Sequence, residues 1–240
     1  MKIWQKMLIP TLIALAIGGI YLFYVWKQRQ NPGVTPPNQA VQTLSKDDVA
    51  VVRALSPQHF EDLQPLENTR VWMKNGYTMP YYPYEKGQVE FGKRVGLIPA
   101  AQPLDVKKIV KAVVPANEDD GLEHGTRQAF AVFALPGKEG LFATTIGAMQ
   151  GDKEAYFSDA LFFYDDPHTI YDNWPKDVWA AIDAHQVKPG MSELETRMAI
   201  GQKMRPDGDK EGDRRVTYDQ DGKHWTITYE KNRATAIKSE

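Results

Sequence analysis

The chain has no cysteine. That removes disulfides, thiolate zinc sites, a cysteine nucleophile and lipid attachment through cysteine, and it leaves the redox compartment open. A basic field is missing too: 29 Lys and Arg stand against 31 Asp and Glu, for a formal charge of -2. No stretch combines dense cations with stacking aromatics, so no nucleic-acid partner is expected. The G-x-S-x-G elbow, the P-loop, the G-x-G-x-x-G turn and H-E-x-x-H are all absent. His59, His124, His185 and His224 are scattered along the chain rather than set at ligand spacing. What is present is ordinary globular composition, 42% hydrophobic and 25% charged, over 240 residues, enough for one or two domains.

One long run carries no charge. Met7–Val25 reads MLIPTLIALAIGGIYLFYV, which as a helix would run roughly 28 Å against a hydrocarbon core of ~30 Å. Trp4 precedes it, and Tyr21, Tyr24 and Trp26 mark its far end, as rings do at membrane interfaces. The run is longer than a signal-peptide core and has no small-x-small cleavage site close behind it, so an uncleaved anchor is expected. Lys2 and Lys6 before the span, against Lys27 and Arg29 after it, narrowly favour a cytoplasmic amino terminus. The expectation is a single-pass inner-membrane protein with a periplasmic globular part. QNPGVTPPNQAVQ then reads as an extended spacer.

Ser45 offers an N-cap for a helix over KDDVAVVRAL that ends before Pro57, and PQHFEDL continues with a short helical piece. From Thr69 the pattern becomes β. TRVWMK stops at Asn75-Gly76, and QVEFGKRV, LDVKKIVKAV, RQAFAVFAL, GLFATTIGA and AYFSDALFFY follow as strands. Pro136-Gly137-Lys138-Glu139 turns one of these hairpins. Short strands at this spacing predict a small barrel or roll. GQVEFGKRVGLIPAAQPLDV faintly resembles bacterial SH3-type domains.

The last third predicts a helix over PKDVWAAIDAH and a break at Gly190. Ser192-x-x-Glu195 is a capping box for a second helix that ends at Gly201. RPDGDKEGDR reads as a polar loop. RVTYDQDGKHWTITYEKNRATAI reads as a three-stranded meander turning at Asp221-Gly222 and Lys231-Asn232. Pro189-Gly190-Met191-Ser192, Gly201 and the meander together resemble the SmpA/OmlA/BamE-like domain of bacterial envelope proteins, over about Trp179 to Ile237. The resemblance implies a non-catalytic α+β module for protein contacts at the cell envelope. Without a lipobox cysteine, and with a β-rich region ahead of it, a role in outer-membrane assembly does not follow. The expected class is α+β: a transmembrane anchor (1–29), a Pro-rich linker (30–44), a β-rich barrel or roll (45–165), and a two-helix plus three-stranded module (166–240).

Two stretches are candidate sites. FFYDDPHTIYDNWP, Phe162 to Pro175, is dense in aspartate, aromatic rings and proline around a histidine. Asp165, Asp166 and His168, with Asp159 and Asp172, have the atoms to ligate a hard or borderline cation. The spacing matches no known metal loop. Asp165-Asp166-Pro167 is also strong turn chemistry, and Asp172 or Asn173 can cap a helix beginning near Pro175, so a rigid corner is the favoured reading. YTMPYYPYEKG sets Tyr77, Tyr81, Tyr82 and Tyr84 among prolines, either as an exposed aromatic groove for a peptide or glycan or as a flap closing the β region. Glu118-Asp119-Asp120 with Glu123 and His124 reads as a solvated acidic loop. The functional expectation is a membrane-anchored, non-catalytic interaction or scaffold module with an envelope protein partner, and no cofactor. The alternative is a metal- or ligand-dependent enzyme with its site near Asp165, Asp166 and His168.

Overall fold

The computed structural model describes residues 18–27, 47, 50–74, 79–116, 125–150, 153–201, 204–220 and 222–239. Two units separate, Met1–Asp48 and Val49–Glu240. The first is described chiefly by α1, residues 18–27, on which Ile20, Tyr21, Leu22, Phe23, Tyr24 and Trp26 are exposed. The membrane-spanning helix expected over 7–25 is overturned here: among the described residues no helix is long and apolar enough to cross a membrane. The described helix spans roughly 15 Å at 1.5 Å per residue, about half a hydrocarbon core. Residues 1–17, and the linker at 30–44, lie outside the described residues. The single-pass, signal-anchor and inner-membrane readings fall with that helix.

The second unit is mostly β, with two antiparallel sheets, which corrects the expected class. The strands of the large sheet are β1 (Arg70–Met73), β2 (Pro80–Glu85), β3 (Gln88–Val89), β4 (Gly96–Leu97), β5 (Pro103–Val113), β6 (Arg127–Ala134), β7 (Phe142–Gln150), β8 (Lys153–Tyr156) and β9 (Phe162–Phe163). Their order is β3-β2-β7-β6-β5-β1-β9, with β4 on β2 and β8 on β7. It is an open sheet with free edges rather than a barrel or roll. Its centre is the β5–β6–β7 meander, with register running from Asp105↔Ala134 to Val113↔Arg127 and on from Arg127↔Met149 to Phe133↔Phe142. Leu135-Pro136-Gly137-Lys138 makes the β6–β7 turn: Gly137 takes φ 80 after proline and the Lys138 N–H closes on the Leu135 carbonyl at 3.1 Å, as a type II turn requires.

Period-two alternation sends side chains to two faces. On β6, Ala129, Ala131 and Phe133 face a core closed by Leu63, Leu66, Leu161 and Phe162, while Phe130 and Val132 face a second core with Tyr82, Tyr84 and Phe91. At the other end of the sheet the second face is covered by the carboxyl-terminal elements. Those are α4 (Lys176–Asp183), α5 (Glu193–Ile200) and a sheet of β10 (Met204–Asp207), β11 (Arg215–Gln220), β12 (Lys223–Glu230) and β13 (Arg233–Ser239), ordered β10-β11-β12-β13. This sheet has four strands, not three, because Met204–Asp207, at the edge of the expected polar loop, pairs with β11 from Met204↔Tyr218 to Asp207↔Arg215. The third core joins Trp174, Trp179, Met198, Tyr218 and Tyr229 to Phe163 of the large sheet.

Three local expectations also change. Residues 50–57 form neither helix nor strand, and Ser56 is left-handed at φ 51; Ser45 is outside the described residues. The Asp159 carboxylate, distant in sequence, takes the N–H groups of Leu55 and Ser56 at 2.9 and 2.8 Å, which removes them from any helical ladder. QVEFGKRV is broken by a 3-10 turn at Phe91–Lys93, whose Phe91 is buried against Tyr82 and Phe130. AYFSDALFFY is split by α2 (Ser158–Leu161) into β8 and β9.

Candidate functional site

The corner comes first. Phe162 and Phe163 are consecutive on β9, so they point into different cores. Asp166 then caps α3 (Pro167–Ile170): its carboxylate accepts the His168 N–H at 2.9 Å, and Pro167 fills the first helical position. The cap foreseen at Asp172 or Asn173 for the helix near Pro175 is not formed: Pro175 is the N-cap residue of α4, which starts without a side-chain cap. His168 stacks on Trp179 with centroids 4.0 Å apart. Its Nδ1 lies 2.7 Å from Asp166 and its Nε2 3.4 Å from Asp183. Tyr171 stacks on Trp174 at 4.5 Å, and both are buried.

The aspartates of the stretch do not converge. Asp165 is exposed and pairs with Arg53 at 3.7 Å. Asp159 accepts the Tyr164 phenol at 2.6 Å as well as the two N–H groups from residues 55 and 56. Burial works against the charge on Asp159, yet these bonds and the Lys74 ammonium outweigh it, and its carboxyl sits below the usual range. Asp172 is exposed. Among the described residues no three His, Asp or Glu side chains group so as to hold a metal ion.

The tyrosines are core residues. Tyr81, Tyr82 and Tyr84 are 5%, 0% and 9% exposed, with Tyr81 in one core and the other two in the next. Strand alternation buries them on both faces of β2, so they do not form an exposed aromatic groove. Tyr77 lies outside the described residues, as do Glu118, Asp119, Asp120, Glu123 and His124.

A binding geometry appears around Tyr81, together with residues that belonged to neither candidate stretch. A cleft of about 380 Å3 lies between the large sheet and the end of α4. One wall is Tyr81 with Val95–Pro99 around β4, a second is Leu135, Pro136 and Lys138 of the type II turn, and Gln102 and His185 complete it. Ile98 and Leu135 are buried, whereas Val95 is 43% exposed at the mouth. The Lys138 ammonium donates to the Tyr81 hydroxyl at 2.7 Å and lies 5.3 Å from the ring centroid. Among the described residues no carboxylate lines this cleft.

His185 is placed by a Schellman ending. Its N–H bonds the Ile182 carbonyl at 2.8 Å and the Gln186 N–H bonds that of Ala181 at 2.9 Å. The residue between must turn left-handed, and it does, at φ 51. Glycine normally holds this position; here an imidazole does, with Nδ1 3.3 Å from the Ala199 carbonyl. Ala101, next to Gln102, is also left-handed at φ 58. A missing glycine at the end of a helix was the one sequence signal for His185. Lys138 had none. A second cleft, about 370 Å3, opens between Tyr84–Phe91 and Val110–Val113 on the far end of the sheet.

Buried charge elsewhere is engaged in holding segments. Glu193, fully buried, takes Arg214 at 2.5 Å and the Gly212 N–H at 2.9 Å. Glu195 and Ser192 form both halves of the capping box. Compared with protein-family models, curated proteins and solved structures, the chain matches none. The resemblance to the SmpA/OmlA/BamE-like domain rests on its residues alone.

Proposed function

We propose that residues 49–240 act by binding, as a non-catalytic module that holds another protein, the role implied by the resemblance over residues 179–237. One observation carries the reading: an open cleft whose lining combines apolar side chains with Lys138, Gln102 and His185. Ligand sites are concave and combine apolar walls with a few placed polar groups, and this cleft joins Leu97, Ile98 and Leu135 to Lys138, Gln102 and His185. The ionisable groups of the corner serve internal links instead. His168 lies between Asp166 and Asp183, and Asp159 gathers segment 50–57, Lys74 and Tyr164. A catalytic acid or base must reach a substrate proton; these groups reach neighbouring chain segments.

The test is photo-crosslinking in the native cell from a benzoylphenylalanine at Val95, at the cleft mouth, or at Val113, which is 54% exposed beside the second cleft. The expected result is one defined protein adduct from Val95 and none from Val113. Adducts from Val113 alone, or an identical background from both, would overturn the assignment.

A further inference from the structure

The geometry points to the cleft beside Lys138 as a receptor for the end of a polypeptide: an apolar last side chain with its free carboxylate. The inference rests on reading residues 49–240 as a protein-binding module, and it names what that module grips. Three features support it. The first is size. A volume of about 380 Å3 lies near the small end of the roughly 300–1,000 Å3 that ligand pockets span, which suits one or two residues rather than a long segment.

The second is charge. Among the described residues that line the cleft, Lys138, presented on a closed type II turn, is the one with a permanent charge, and none is a carboxylate. Its ammonium has three donor hydrogens, of which the Tyr81 hydroxyl takes one. An anion set between apolar walls is favoured there, because lowered local polarity strengthens the attraction. The third is the cost accepted at His185. A left-handed backbone is strained for a residue that carries a side chain, and glycine at the same place would relieve it. With Nδ1–H donating to the Ala199 carbonyl, Nε2 in that tautomer is an acceptor, which fits a peptide N–H of the bound chain end and leaves the carboxylate to Lys138. The apolar part of the pocket, Leu97, Ile98 and Leu135, receives the terminal side chain.

The test uses the full chain and a fluorescein-labelled hexapeptide of Gly and Ser ending in Leu. It is read by fluorescence anisotropy in three forms: free acid, C-terminal amide, and amide with an internal Asp. The free acid is expected to bind, with the amide and the internal-Asp amide each at least tenfold weaker. Lys138→Gln should weaken the free acid at least tenfold and leave the amide unchanged. His185→Gly should weaken it while the thermal midpoint holds or rises, a pattern that simple damage to the fold does not produce. An amide that binds within twofold of the acid overturns the carboxylate, and an internal-Asp amide that matches the acid overturns the chain end. No binding by any of the three overturns the inference, yet leaves the module reading standing if Val95 still cross-links a partner. Loss of both results removes both.

Discussion

The corner at 162–175 and the cleft beside Lys138 each hold a histidine at a helix boundary, and the two imidazoles are held in opposite ways. His168, in the first turn of α3, has a carboxylate near each ring nitrogen and an indole against its face. His185, just past α4, has a single carbonyl at 3.3 Å and a backbone in the left-handed region. The first imidazole joins two helices and a core. The second is held less tightly and lines open space. A crowd of aspartates and rings therefore marks a joint, while the sparser stretch lines a cleft, even though His168 is the more exposed of the two imidazoles. Density of reactive residue types measures how much a segment has to hold together as often as it measures chemistry.

Removing a buried ring from the corner should produce the largest effect. Trp174 is 5% exposed, stacked on Tyr171 and 5.1 Å from Trp179. Trp174→Ala is expected to cost about 3–5 kcal/mol in chemical denaturation, since truncation leaves a cavity that the surrounding rings fill only in part. A cost under about 1 kcal/mol would mean that the corner is not the joint described.

Asp159→Ala should come next, at about 1–3 kcal/mol near neutral pH, because it strands N–H groups of segment 50–57 and the Tyr164 phenol. The sign with pH follows from the lowered carboxyl. A group depressed in the folded state contributes above its unfolded pKa, ~3.9, and loses the contribution as pH falls through the folded value. The gap between wild type and variant should therefore narrow from about pH 5 downward. A gap independent of pH would assign the effect to packing.

Ser192→Ala, which removes one half of the α5 capping box, should cost about 0.5–2 kcal/mol. Gly190, at φ 88 and bonded through its N–H to the Ala234 carbonyl at 2.9 Å, ties this turn to β13. Hydrogen exchange should accordingly quicken in β12 and β13 as well as in α5. Faster exchange in α5 alone would separate the helix from its sheet.

These elements differ in how plainly the sequence announces them. β5, β6, β7, α5 and the left-handed Lys231-Asn232 turn follow from alternation, the capping box and turn chemistry, all of which act within a few residues. The helix expected near 45–56 fails over 50–57 because its N–H groups bond a carboxylate more than a hundred positions away, beyond any local pattern. The expected strand over 155–164 fails because the chain turns at Ser158–Leu161 to send Phe162 and Phe163 into separate cores. The tyrosines of β2 looked like a surface because proline and tyrosine recur in grooves, and sheet packing on both faces buried them. The cleft was illegible for the same reason as the course of residues 50–57: it assembles residues 81, 95–102, 135–138 and 185, which only the folded sheet brings together.

The smallest expected change in stability is also the one that separates the two histidines most cleanly. His168→Gln should cost on the order of 1 kcal/mol, as it keeps some hydrogen bonding but loses the stack on Trp179. His185→Gly should cost nothing and stabilise by up to about 1 kcal/mol, because it relieves a left-handed side chain against a modest gain in unfolded-chain freedom. A residue kept for the fold loses stability when replaced; one kept for a ligand gains stability and loses binding. Unfolding curves for the two variants, set beside their affinity for the free-acid peptide, read both quantities at once. If His185→Gly proved as destabilising as His168→Gln, the imidazole beside the cleft would be a second structural link and the contrast between corner and cleft would collapse.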